Sequence, residues 1–147
     1  YFWEDLYKIK GKCRPDWLSK DGNTVVDLKT TQDASPKGFQ KSIANFGYHI
    51  QCAWYLRGLR KLEVPAKEFI FIAIEKTAPY CIGVYRADED MINAGMSEVE
   101  KSLELLRICQ ETKLYPDYTP TIQDISLPPW MTNKKVTPQN YQEIELY

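Results

Sequence analysis

Three side chains near the start of the sequence have types and spacing suited to chemistry: Asp16, Asp27 and Lys29, within "CRPDWLSKDGNTVVDLKTT" (Cys13 to Thr31). The two acids lie on strand-like runs joined by Asp21-Gly22, a pair that suits the two-residue type I′ turn of a hairpin. With the turn centred there, Leu18 faces Val25, Asp16 faces Asp27 and Arg14 faces Lys29. Opposed Cβ atoms sit about 4.5 to 5.5 Å apart, where like charges repel, so a cation between the acids would explain the pair. Hard divalent cations prefer oxygen ligands, and Mg²⁺ binds one or two carboxylates while water and substrate phosphate complete its shell. Such a metal polarises a phosphoryl oxygen and supplies hydroxide near neutral pH. Lys29 lies two residues past Asp27 and shares its strand face, placed to orient that water or offset developing charge. A plainer reading of the same residues is a solvated hairpin face with scattered charges.

The elements that must position these groups come next. "YKIKGKCRPDWL" alternates, with Lys8, Lys10, Lys12, Arg14 and Asp16 on one parity and Ile9, Cys13 and Trp17 on the other, which predicts one strand with a wet face. Its cations form a row that would hold the phosphates of a polyanion leading to the metal. "TVVDLKTT" is β-branched and predicts a second strand. A helix follows, capped by Ser35 or Asp33 with Pro36 in its first turn, and Gly47 ends it.

A second helix runs from Tyr48 to about Leu59 and carries Gln51 and Tyr55 four residues apart on one face. They are suited to hydrogen-bond a phosphate or a nucleotide edge, with the tyrosine also a stacking surface. The alternative is Tyr55 packed into the core with Gln51 at its rim. His49 is the only histidine and has no companion ligand, so a structural role is expected.

"EFIFIAIEK" is apolar on both parities and predicts a strand covered on both faces, and "YCIGVYRA" returns after a turn containing Pro79. A long helix from Asp88 to about Thr112 carries Ile92, Met96, Val99, Leu103 and Leu106 on one stripe. Beyond Tyr115 several prolines prevent regular structure, and Ile122, Ile125, Leu127 and Trp130 are candidate anchors for this tail. The fold class is therefore α/β (α+β), a mixed central sheet flanked by helices. Residues 1–131 form the core and 132–147 a flexible tail.

Composition frames that reading. At 147 residues with 44% apolar side chains the chain builds a core of its own. Its net charge of −1 means that any polyanion site must come from local charge placement. Cys13, Cys52, Cys81 and Cys109 are scattered, as expected of reduced thiols rather than a disulfide frame, and lack iron–sulfur spacings. No long apolar run or signal pattern occurs, which predicts a soluble, unexported protein. The opening "YFWED" has no Met and reads as the inside of a strand, pointing to a missing upstream part.

At Pro15-Asp16, Asp27-Leu28-Lys29 and the Gln51 to Tyr55 element the sequence resembles the PD-(D/E)XK nucleases. Within them "CRPDW", "VVDLKTT", "GYHIQCAWY" and the late "SLPPW" are similar to the nuclease domain of the exodeoxyribonuclease VIII family. The resemblance implies a restriction-endonuclease-like core and Mg²⁺-dependent (or Mn²⁺-dependent) removal of the 5′-ended strand of duplex DNA, leaving 3′ overhangs for recombination. It makes Asp16, Asp27 and the Leu28 carbonyl metal ligands, Lys29 the residue acting on water, and Gln51 and Tyr55 substrate-contacting members of the catalytic site. It also implies a ring-shaped homo-oligomer on DNA ends, a single-strand annealing partner, a bacterial or phage-encoded cytoplasmic setting, and a further His or acidic site residue upstream of Tyr1. The alternatives are an inactive DNA-end or recombinase-binding module, an endonuclease, or an iron–sulfur nuclease of the same superfamily.

Overall fold

The computed structural model describes residues 1–118, 121–128 and 131. It divides into two units, Tyr1–Leu114 and Tyr115–Tyr147. In the first, β1 (Phe2–Glu4) and β2 (Lys10–Lys12) form an antiparallel ribbon. A four-stranded sheet has the order β3 (Trp17–Leu18), β4 (Thr24–Thr31), β5 (Glu68–Glu75), β6 (Ile82–Arg86). Strands β3–β4 and β5–β6 are antiparallel, while β4 and β5 are parallel. Parallel neighbours need a long crossover, and α1 (Pro36–Phe46) with α2 (Tyr48–Lys61) provides it. The long α3 (Glu89–Thr112) follows β6. This is the mixed sheet with flanking helices that the sequence predicts.

Local chemistry sets the helix ends. Ser35 Oγ accepts a hydrogen bond from Gly38 N and Pro36 opens α1. Gly47, at φ 65°, supplies the left-handed residue that turns α1 into α2. Asp88 caps α3 by accepting from Met91 N at 2.8 Å. The fully buried Val25, Phe39, Cys52, Leu56, Leu59, Phe69 and Phe71 form the core between the sheet and the crossover helices. Where α3 meets α2, a Cβ on Gly95 would overlap the His49 carbonyl, so glycine permits the close approach.

Several expectations change in detail. The turn after β3 spans Lys20–Asn23 rather than two residues, and Asp21 lacks the positive φ that a type I′ turn needs; only Gly22 has it, at 76°. Asp21 instead accepts bonds from Ser19 Oγ, Asn23 N and Asn23 Nδ2. Because that longer loop is centred on the same two residues, the register survives: Leu18 pairs with Val25 and Trp17 with Val26.

The single strand predicted from Tyr7 to Leu18 is broken twice. Leu6–Lys8 form a 3-10 turn, with Tyr7 and Lys8 at positive φ, after Asp5 captures Leu6 N. Pro15 has no N–H to donate, and the chain leaves the ladder between Lys12 and Trp17. Lys8, Lys10, Lys12 and Arg14 therefore do not share one strand face, and Arg14 does not oppose Lys29 in a ladder.

Strand β5 is fully covered on one face only. Phe69, Phe71 and Ala73 are buried, whereas Ile70, Ile72 and Ile74 are half-buried beside exposed Leu28, Ile82 and Val84. The α3 stripe holds at Val99 and Leu103, but Leu106 is exposed at a cavity shared with Ile9, Ile50 and Trp54, and Cys109 is buried instead. In the second unit the described residues form no helix or strand, and Ile122 and Ile125 are exposed. Trp130 and residues 132–147 lie outside the described residues.

The ribbon is tied to α2 by Asp5. Its carboxylate accepts from Trp3 Nε1 at 2.8 Å, Leu6 N at 2.7 Å, and Arg57 Nη2 and Nε at 2.8 and 2.9 Å. The Trp3 indole lies against Gly11 and Gly58, and a Cβ on either would overlap the ring. Burial alone would raise the Asp5 carboxyl, but the bonds from Arg57, Trp3 and Leu6 outweigh it and hold it at about 2. A lowered carboxyl stabilises the fold above its ordinary value, and that contribution disappears as pH falls through the folded value. Urea unfolding from pH 6 downward should therefore show wild type losing stability from about pH 4 toward pH 2. Asp5→Asn should show a shallower limb, with Asp21 and Glu104, also held at about 2, supplying what remains. Arg57→Ala, which strands a buried carboxylate, should cost about 3 kcal/mol at pH 7.

Candidate active site

Asp27 is the centre of the site. It lies on β4, paired on one side to β5, with its side chain pointing to the face covered by α2. Its residue exposure is 3%, low for a carboxylate. Gln51 Nε2 on α2 donates to Asp27 Oδ1 at 2.9 Å. Lys29 Nζ pairs with Asp27 Oδ2 and donates to Gln51 Oε1 at 2.8 Å, so acid, amine and amide close a triangle. Asp27 Oδ2 is sealed from solvent and receives no well-directed hydrogen bond; the ammonium simply lies against it. Burial raises the Asp27 carboxyl, and the Asp16 carboxylate adds to this, while Lys29 and Gln51 pull the other way; the net direction is up.

Asp16 is exposed at the entrance to β3, next beyond the Trp17–Val26 pair. Its Oδ2 accepts from Leu28 N at 2.8 Å, which fixes the carboxylate over the Asp27-Leu28 peptide. Asp16 therefore does not oppose Asp27 in the ladder as expected; it reaches the Leu28 N–H from beyond the strand end, close enough for its charge to act on Asp27, while Leu28's own side chain is exposed.

The donor set fits a hard divalent ion. A buried carboxylate oxygen whose polar neighbour is the Lys29 ammonium, a second carboxylate held nearby and an adjacent backbone carbonyl are all oxygen donors. Asp16, Asp27 and the Leu28 carbonyl are the groups that would hold it. Among the described residues no cluster of three or more His, Cys, Asp or Glu side chains is arranged for a metal, which leaves this two-acid set. The four cysteines are free thiols: three are buried, Cys81 is exposed, and they do not form a cluster.

The other expected residues disperse. Tyr55 packs on Phe69 at a ring separation of 6.3 Å and lines a cavity with Lys12, Cys13 and Arg14, one helical turn beyond Gln51. Lys10 lies on β2 beside the α2–α3 cavity, and Lys8 is exposed on the 3-10 turn. His49 is half-buried at the α2–α3 crossing.

Two residues escaped the sequence reading. Tyr48 carries the Lys29 ammonium over its ring, 4.6 Å from the centroid, and stacks in turn on Phe46 and Phe71. Its signal is the stripe 48, 51, 55 on α2, which it shares with Gln51 and Tyr55. Asp5 has no such signal, because its importance depends on Arg57, far along the chain.

A family model described as a PDDEXK-like domain of unknown function (DUF3799) matches residues 1–127. The chain belongs to that family. This PDDEXK-like domain also shares its fold with the crystal structure of a Eubacterium rectale protein assigned as an exonuclease. The TM-score is 0.65 and the sequence identity 19%, over 83% of this chain. The match spans 52% of that protein, about half its length. A comparison with curated proteins finds no match.

The donor set yields a direct test. Titration calorimetry with Mg²⁺ or Mn²⁺ should show binding by wild type and its loss in Asp27→Asn, which keeps the shape but removes the charge. Equal heats from both proteins would remove Asp27 from the metal site.

Proposed function

We propose that this PDDEXK-like domain is the nuclease module of a Mg²⁺-dependent exodeoxyribonuclease of the exodeoxyribonuclease VIII type, with Mn²⁺ as a substitute metal. It removes the 5′-ended strand of duplex DNA and leaves 3′ overhangs for recombination. The observation that carries the reading is the triangle of Asp27, Lys29 and Gln51 with Asp16 beside it: an acid, an amine and an amide on adjoining elements, open to a second carboxylate. A structural ion pair needs no second acid directed at the same peptide.

Each residue has a part in the hydrolysis. Asp16 and Asp27 hold the divalent ion, which when bound polarises the phosphoryl oxygen and acidifies its water. Lys29, fixed by Gln51 and the Tyr48 ring, positions the attacking water and offsets charge that develops on the phosphorus oxygens. Water adds to phosphorus, the bond to the leaving oxygen breaks, and that oxygen takes up a proton. Gln51 keeps the carboxylate and the ammonium in register. Lys12 and Arg14, which share a cavity with Tyr55, are contacts for the DNA backbone, while Lys8 and Lys10 are separate exposed cations available to more distant phosphates. The duplex end is the substrate, a ring-shaped homo-oligomer the assembly, and a single-strand annealing protein the partner that takes the overhang. The setting is the cytoplasm of a bacterium, from a chromosomal or phage gene.

Lys29→Ala should separate chemistry from binding. In single-turnover cleavage of an end-labelled duplex at saturating Mg²⁺, the rate should fall at least about a hundredfold while DNA affinity changes little. A near wild-type rate would remove Lys29 from the chemistry. Covalently closed circular DNA should remain uncut; its cleavage would mark an endonuclease, and a wild-type chain that binds duplex ends without cutting them would mark a binding module.

A further inference from the structure

A second polar depression begins where the acid site ends. Beyond Lys29 the chain continues through Thr30 and Thr31 into α1, and these segments enclose a cavity of about 560 Å³ lined by Thr30, Lys41, Ser42, Phe46, Tyr48 and Lys76. Lys41 projects from α1 and Lys76 follows β5, and neither forms an ion pair with a described residue. Asp33 is the acid in the lining, and it is engaged at the start of α1, where its Oδ1 accepts from Ser35 N at 2.8 Å. The Asp33 carboxylate still feels the Lys41 charge, so the hollow carries two lysines against one acid and is net positive.

Phe46 stands at its edge. The ring is 69% exposed at the last position of α1. It stacks on Tyr48 with centroids 5.7 Å apart and planes 29° from parallel, and Tyr48 in turn lies under the Lys29 ammonium. A continuous line therefore runs from the reactive lysine, through one ring, to a second ring beside a two-lysine hollow. A basic channel combined with an exposed aromatic face is the combination that holds unpaired nucleic acid: cations follow the phosphates and a ring stacks a base. A duplex keeps its bases stacked on each other and offers none to such a ring.

We propose that this hollow binds single-stranded DNA next to the cleavage site, with Phe46 stacking one unpaired base and Lys41 and Lys76 contacting flanking phosphates. The proposal rests on the nuclease reading and adds to it that the terminal nucleotides are separated from their complement before hydrolysis. Tyr48 has two roles, supporting Lys29 on one side and Phe46 on the other.

Fluorescence anisotropy tests it, using the full chain in EDTA with a fluorescein-labelled oligothymidine as probe. Phe46→Ala should weaken binding about tenfold, the scale of one lost base stack, and Phe46→Trp should restore it. Lys41→Ala and Lys76→Ala should each reduce the slope of log affinity against log salt by about 0.7. Affinity and slope equal to wild type in these variants, or no oligothymidine binding by wild type, would overturn the proposal. The two readings fail separately: if duplex cleavage depends on Asp27 while Phe46→Ala binds oligothymidine normally, only the hollow is wrong. If the Phe46 and lysine variants behave as expected but wild type cuts no DNA, the single-strand site stands and the nuclease reading fails.

Discussion

A carboxylate buried in the middle of a sheet is the constraint on which this architecture depends. Asp27 occupies a β4 position whose neighbours on the same face, Val25 and Thr31, are buried with it. An ionised acid there is costly unless polar partners approach it. Lys29 arrives from two residues along the same strand, and Gln51 comes from a helix more than twenty residues later. The parallel β4–β5 pairing is what makes the second arrival possible, because its crossover carries α1 and α2 back over that face. Sheet order, the left-handed glycine between the helices and the amide on α2 thus all serve one oxygen pair. One of those oxygens accepts from the Gln51 amide and the other faces the Lys29 ammonium, so the buried charge is met from both sides.

How much of this could be read in advance depended on the range of the interactions involved. The pairing of Leu18 with Val25 is legible, because register depends on where a turn is centred, whereas Asp16 lies outside the ladder and reaches the Leu28 N–H instead of opposing Asp27. The loop is longer than a type I′ turn, yet Ser19 N still donates to Thr24 O across it and the register is unchanged. The caps at Ser35 and Asp88 and the break at Gly47 were equally local and equally plain. The lysine row failed for a non-local reason. Its alternation is real in the sequence, but the Asp5 carboxylate, held by Arg57, turns the chain at Leu6, and Pro15 interrupts what remains. Periodicity cannot register a partner fifty residues away.

The helix α2 shows the same division. Its face was identified from Gln51 and Tyr55, and one turn of helix was enough to send the two to different surroundings. Tyr48, three residues earlier on that stripe, proved to be the aromatic neighbour of the lysine. The half-covered apolar face of the sheet was not legible either. A strand of alternating Ile and Phe announces burial on both sides, whereas the described residues bury only the Phe side completely.

The Trp3 indole between Gly11 and Gly58 has a consequence for heredity. Neither glycine is near the acid pair, and neither bears a group that could react. A side chain at either position would displace the indole, and the indole's N–H holds the same carboxylate that anchors Arg57. In a screen for loss of activity, alleles at these two silent-looking positions would therefore be recovered alongside alleles of the reactive residues. They would be told apart by their dependence on growth temperature, and a second-site change that shrinks the indole would suppress them, whereas nothing at residue 3 could rescue a lost Asp27.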